Sequence, residues 1–146
     1  KPEMSCPEVT EKVLKALAAD CYDLIIVNYA NPDMVGHTGI LPAAIRAIEA
    51  VDSCLGRAIE AVRSQGGTAL VTADHGNAEQ MVDPETSESH TAHTTHLVPF
   101  ILVDDHYCGK LRQGGALKDI APTLLGILGL PQPEEMTGRD LRCVET

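Results

Sequence analysis

The sequence predicts an α/β fold, with a mostly parallel sheet carrying helices on both faces. Three observations predict it. Helix-period and strand-like stretches alternate along the 146 residues, which is the pattern of layered α/β architecture. Residues 24–29 (Leu-Ile-Ile-Val-Asn-Tyr) are apolar without alternation, as in a strand covered on both faces. A second apolar run, residues 68–73, stops at Asp74-His75-Gly76. Neither polar side chain suits a strand interior, and ligands of open α/β sheets collect outside the carboxyl ends of strands.

Each element has its own signal. Val9, Val13, Leu14, Ala16 and Leu17 recur at helical spacing, so residues 7–19 form a helix. Ser5 and Glu8 have the spacing of a capping box, placing the start near Cys6 or Pro7. Residues 20–23 end it, and the strand at 24–29 follows. Residues 30–39 are rich in turn formers. Residues 42–64 make a longer helix with Ile45, Ile48, Val51, Leu55, Ile59 and Val62 on one face. Pro42 fits its first turn and Gly66-Gly67 its end. Strand 68–73 is followed by a polar, aperiodic functional loop over 76–95. Residues 98–103 form another strand, with Pro99 marking an edge or first position. After a connection over 104–115 comes a helix at 116–128, its regular part starting near Asp119. The tail, 132–146, reads as loop, with a final turn over 136–141.

Composition narrows the function. A formal net charge of −10 argues against a nucleic-acid partner, which needs clustered Lys and Arg. No apolar run approaches the roughly 20 residues of a membrane span. The five cysteines, Cys6, Cys21, Cys54, Cys108 and Cys143, are scattered and odd in number. They read as buried reduced thiols in a cytoplasmic protein. With only Phe100 and three tyrosines, a base-stacking surface is disfavoured. The chain opens on Lys1 rather than Met, and is expected to be processed, trimmed or part of something longer.

Three clusters carry metal-ligand chemistry. Asp33 and His37 are four apart, so a helical turn would project both from one face. The bland alternative is a capping Asp33 beside a solvated His37. Asp74 and His75 leave a strand end together. They could enter a site between two ions, or one could bind metal while the other hydrogen-bonds a ligand. His90, His93 and His96 fall within seven residues, which fits a designed site or an adventitious tract. Carboxylate and imidazole without thiolate suit Mn²⁺ or Zn²⁺, and Mg²⁺ less well. Two ions roughly 3.5–4 Å apart are the usual device for displacement at phosphorus. No Ser, Thr or Cys stands in a nucleophile setting, and the arginines are scattered. Arg46, Arg57 and Arg63 belong to the solvated side of the long helix.

The sequence closely resembles the C-terminal part of the cofactor-independent (2,3-bisphosphoglycerate-independent) phosphoglycerate mutases, of the alkaline phosphatase superfamily. The resemblance runs through Lys1-Pro2-Glu3-Met4-Ser5, Asn28-Tyr29-Ala30-Asn31-Pro32-Asp33-Met34-Val35-Gly36-His37-Thr38-Gly39 and Val71-Thr72-Ala73-Asp74-His75-Gly76-Asn77-Ala78-Glu79. It continues through His90-Thr91-Ala92-His93-Thr94 and Leu117-Lys118-Asp119-Ile120-Ala121-Pro122-Thr123. It implies interconversion of 3-phosphoglycerate and 2-phosphoglycerate in glycolysis through a phosphoserine, at two ions, usually Mn²⁺, with Mg²⁺, Zn²⁺ or Co²⁺ as substitutes and no organic cofactor. It further implies that Asp33, His37 and His93 ligate one ion, and that Asp74 and His75 ligate the other.

By the same resemblance, residues 1–146 are the C-terminal part of the phosphatase-like domain. The nucleophilic serine, a further aspartate and the substrate-binding residues of a phosphotransferase domain lie upstream. The chain alone is then expected to be inactive, and the complete enzyme a cytoplasmic monomer. His93 is chosen among the three histidines because the resemblance runs through it. His90 is expected to support the site or face solvent, and His96 is a rival ligand that spacing does not exclude. Another dinuclear phosphomutase or phosphatase, or a noncatalytic metal-binding domain, are the competing readings.

Overall fold

Helix α1 spans Cys6–Ala19, one residue earlier than its periodicity indicates. The Ser5 side chain makes no cap, so the expected capping box is not formed. Instead the Ser5 carbonyl accepts the Val9 N–H at 2.9 Å, and Pro7 sits in the first turn, where its missing N–H costs nothing. Asp20, in the left-handed region, ends the helix. A short helix α2, Asn31–Gly36, and a long helix α3, Leu41–Ser64, follow. Gly66 at φ +71° closes α3, with its N–H on Arg63 O and the Gly67 N–H on Val62 O.

This computed structural model describes residues 1–143, so the last three residues of the expected loop-like tail lie outside the described part. The chain forms two compact units, one over residues 1–103 and one from Asp104 onward.

In the first unit, α1 and α3 lie side by side and point the same way. Cys6 Sγ, at the start of α1, is 3.9 Å from the Ala50 carbonyl. Glu11 meets Arg57 at 2.6 Å, and Gln65 Nε2, just past α3, donates to Leu17 O at 3.1 Å. The packed face of α3 is Ala44, Ala47 and Cys54. Val35 of α2, Ala44, Ala47 and Met81 of the loop after β1 make one core cluster, with Ala43 and Ala78 against it. Ile45 and Ile48, expected on the buried face, are largely exposed. The small side chains face the neighbours within this chain because they let helix backbones approach closely, and the isoleucines fall outside that seam. The core thus fixes both the helix that carries Asp33 and the loop that follows β1 against one stretch of α3.

The strands are shorter than expected: β1 is Ala69–Thr72 and β2 is Phe100–Val103. They pair antiparallel, Ala69 opposite Val103 and Thr72 opposite Phe100. A parallel pair needs a crossover, usually a helix. Here the connection is the irregular 73–99 loop, so the chain simply returns along its own edge. Residues 24–29 belong to no ladder among the described residues, and Ile26 is 82% exposed. The Tyr29 hydroxyl attaches them to α1, 2.8 Å from Thr10 Oγ1.

The second unit contains a 3₁₀ turn, Leu117–Asp119, leading into α4, Ile120–Leu128, and Gly129 at φ +67° ends it. Buried Asp119 organises the unit: Oδ2 accepts the Ala116 N–H and Oδ1 the Arg139 N–H, both at 2.8 Å. The Thr123 hydroxyl donates to Asp119 O at 2.6 Å and accepts the Leu141 N–H at 3.0 Å. Gly138 must be glycine, since a Cβ would overlap the Lys118 carbonyl oxygen. The expected final turn over 136–141 is instead a turn at 134–135. Arg142 then bridges to Leu111. Of the five cysteines, only Cys6 and Cys54 are buried, and the other three are exposed; loop positions offer no apolar interior to receive them.

Candidate metal centre

The first unit gathers the clusters around one carboxylate. Helix α2 makes a turn between Asp33 and His37, whose backbone N–H donates to Asp33 O at 3.0 Å. Their side chains therefore share a face, with His37 Nε2 3.3 Å from Asp33 Oδ1. Nδ1 of His37 lies 2.7 Å from the Thr91 carbonyl oxygen. A carbonyl only accepts, so Nδ1 carries a proton, and in the neutral imidazole Nε2, 3.3 Å from Asp33 Oδ1, is the nitrogen left to ligate a metal. This is how a metal-binding imidazole is oriented by the partner of its other nitrogen.

His93 comes from the long loop. Its Nε2 is 3.1 Å from the same Asp33 oxygen and 3.2 Å from His37 Nε2. The loop is held there by the Gly76–Thr94 bridge, with the Thr94 N–H donating to Gly76 O at 2.9 Å. His75 stacks on His93, ring centroids 3.9 Å apart and planes 24° apart, and its Nδ1 stands 4.0 Å from Asp33 Oδ1. Asp74 behaves differently. Its side chain is 76% exposed, and its closest approach to the group is 3.8 Å from His75 Nε2.

Burial pushes the Asp33 carboxyl up, but the Asn77 hydrogen bond and then the nearby His37, His93 and His75 outweigh it, holding it below the usual carboxylate range. Donor atoms 3.1–3.3 Å apart fit a shared cation, because metal–ligand bonds of about 2.0–2.2 Å leave neighbouring ligand atoms about 3 Å apart. Asp33, His75 and His93 likewise place one donor atom each within 4.8 Å of one another. The donor set therefore fits a divalent ion of intermediate softness.

The remaining histidines lie elsewhere. His96 Nδ1 is 3.1 Å from Glu79 Oε1, and the backbone N–H of His90 donates to Met81 O at 3.0 Å. Sequence reasoning assigned nothing to Asn77 or the Thr91 carbonyl, which touch the group, or to Glu79, which holds the Asn77 backbone N–H and the Thr94 hydroxyl. The only signal available was the placement of Asn77 and Glu79 within the polar turn after β1. Their partners lie 44 and 15 residues away, beyond any local pattern.

An α/β unit that presents one carboxylate and several imidazoles beside a strand end defines a metal-binding α/β protein. Residues 1–132 match the metalloenzyme superfamily, and the chain belongs to it. Similar proteins include 2,3-bisphosphoglycerate-independent phosphoglycerate mutases from Rhodopirellula baltica, 60% identical over 100% of this chain and 27% of that protein, and from Cereibacter sphaeroides, 62% identical over 97% and 28%. A crystal structure of Leishmania mexicana phosphoglycerate mutase at low cobalt concentration superposes with a TM-score of 0.87 at 32% identity, covering 99% of this chain and 29% of that one. The chain thus spans little more than a quarter of these relatives' length, matching a C-terminal part of them.

Proposed function

We propose that this chain is part of a cofactor-independent phosphoglycerate mutase, which interconverts 3-phosphoglycerate and 2-phosphoglycerate. Two features support the reading: the 60% identity to such mutases across the chain, and the closed triangle of Asp33 Oδ1, His37 Nε2 and His93 Nε2. In this reading those three residues hold one ion. His75, with the projecting Asp74 beside it, serves the second together with a serine and an aspartate outside residues 1–146. The serine hydroxyl accepts the phosphoryl group from one glycerate oxygen and returns it to the other. Bound ions supply charge neutralisation at phosphorus.

Mn²⁺ suits the mixed carboxylate–imidazole set, with Mg²⁺, Zn²⁺ or Co²⁺ as substitutes; the related Leishmania structure was obtained at low cobalt concentration. No organic cofactor, nucleic acid or membrane takes part, and the complete enzyme is a cytoplasmic monomer. No helix among the described residues is long and apolar enough to cross a membrane.

The same reading makes residues 1–146 the C-terminal part of an alkaline-phosphatase-like domain, with the phosphotransferase domain elsewhere in the polypeptide. The common direction of α1 and α3 supports a mostly parallel sheet. Each helix precedes an apolar run, residues 24–29 or β1, and equivalent α–β steps on one sheet give parallel strands. Strands from the remaining polypeptide pair with residues 24–29 and with the open side of β1.

The test is Asp74→Ala in the complete enzyme. It is expected to abolish turnover and weaken Mn²⁺ binding, and unchanged activity would remove Asp74 from the site. Asp33→Ala is expected to remove Mn²⁺ binding from residues 1–146 alone, followed by the free Mn²⁺ electron spin resonance signal. That protein should show no mutase turnover, and measurable turnover without a partner polypeptide would overturn this division of the site.

A further inference from the structure

We propose that Asn77 and Glu79 are positioning residues for the metal centre: Asn77 orients the Asp33 carboxylate, and Glu79 locks Asn77 and the His93 loop onto the turn after β1. The proposal rests on the metal-centre reading above. Asn77 is only 4% exposed. Its Nδ2 donates to Asp33 Oδ1 at 2.8 Å and lies 3.4 Å from His37 Nε2. Its Oδ1 is buried with no hydrogen-bond partner among the described residues and faces Gly36, where a Cβ would overlap it. The amide cannot be reversed, because its oxygen would then face the Asp33 carboxylate oxygen at 2.8 Å. A buried acceptor left unpaired is a standing penalty, retained here so that the amide nitrogen reaches Asp33.

Asp33 Oδ1 is the same atom that meets His37 and His93. A carboxylate oxygen has two lone pairs. The neutral, rigid Asn77 donor occupies one and leaves the other directed at the two imidazoles. A lysine there would compete with the cation for this charge. Glu79 secures the arrangement. Its Oε2 accepts the Asn77 backbone N–H at 2.6 Å, and its Oε1 accepts the Thr94 hydroxyl and lies 3.1 Å from His96 Nδ1. One carboxylate thereby joins the turn carrying His75 to the loop carrying His93, one residue from the ligand itself.

The experiment is Mn²⁺ titration of the protein and its variants by electron spin resonance, with far-UV circular dichroism of each metal-free form. Partners that orient metal ligands are typically worth about 10–100-fold in affinity. Asn77→Ala should weaken Mn²⁺ binding by that factor with an unchanged metal-free spectrum. Gly36→Ala should weaken it similarly by displacing the amide, yet change nothing further in the Asn77→Ala background, a non-additivity that general loosening of the fold would not produce. Glu79→Ala should weaken binding in the wild type, and by a smaller factor in the His93→Ala background, where only its hold on Asn77 is left to lose. Should Gly36→Ala lose its helical spectrum, Asn77→Ala and the Glu79–His93 pair decide alone. Mn²⁺ affinity within about twofold of wild type for both Asn77→Ala and Glu79→Ala, well short of the expected factor, overturns this proposal. Failure of the wild-type protein to bind Mn²⁺ overturns the metal-centre reading beneath it.

Discussion

Asp119 shows how one side chain can hold a segment without any catalytic duty. Backbone N–H groups of Arg139 and Ala116 hold its carboxyl below the usual carboxylate range, against the opposing effect of burial. The unfolded chain, with an ordinary carboxylate, binds protons more readily than the folded one. The stabilisation is therefore complete above the ordinary range and is lost as pH falls through the lowered value. Urea unfolding of the protein should show this acid loss, and Asp119→Asn should flatten it. That variant keeps the shape but turns an amide N–H toward one of the two donors. A buried donor left unsatisfied makes it less stable at neutral pH by about 1–3 kcal/mol. At the metal centre the same residue-scale logic operates with a different outcome. Asn77, not a backbone group, donates to the Asp33 carboxylate, and the His37 imidazole faces inward because the Thr91 carbonyl holds its far nitrogen.

At the scale of elements, α3 is the scaffold. Its Ala44 and Ala47 pack with Val35 of α2 and with Met81 of the loop after β1. Ala47 is fully buried, at 0% exposure, so any larger side chain must push α2 or the Met81 loop outward. Ala47→Leu is expected to destabilise the protein by about 1–3 kcal/mol, as overpacking does, and to weaken Mn²⁺ binding along with it. Ser53, exposed on the same helix, serves as the control and should accept Leu with little change in either quantity. Thermal unfolding and the Mn²⁺ titration check both. The antiparallel β1–β2 pair plays a similar part, bringing the loop between 73 and 99 back on itself so that His93 returns to the strand end it left.

At the scale of the whole molecule, the described residues leave much apolar surface uncovered. Leu24, Ile26, Ile45, Ile48 and Leu97 are all exposed, and exposed apolar side chains of this size mark an interaction face where they adjoin one another. Residues 1–146 in isolation are expected to bind a hydrophobic dye and self-associate at high concentration. Ile26→Lys should lower both, read by dye fluorescence and by light scattering. Unchanged dye binding would place the interacting surface elsewhere.

The sequence by itself determined the helices α1, α3 and α4, though not the short α2, together with the two strands around the site and the residue types that could bind metal. Those signals are local. Helical periodicity located α1, α3 and α4, and the abrupt end of an apolar run located Asp74 and His75. Only the tertiary structure decided that Asp33, His37 and His93 meet at one oxygen, that Asp74 projects into solvent beside them, and that His96 turns to Glu79. It also decided that β1 and β2 run antiparallel, and that the alanines rather than Ile45 and Ile48 make the seam of α3. The physical reason is the range of the interaction. Propensity and periodicity act over a few residues, whereas lone-pair directions and close packing depend on atoms brought together from distant parts of the chain. Asn77 is the clearest case, a polar turn residue by sequence that becomes a buried donor only once Asp33 and Gly36 close around it.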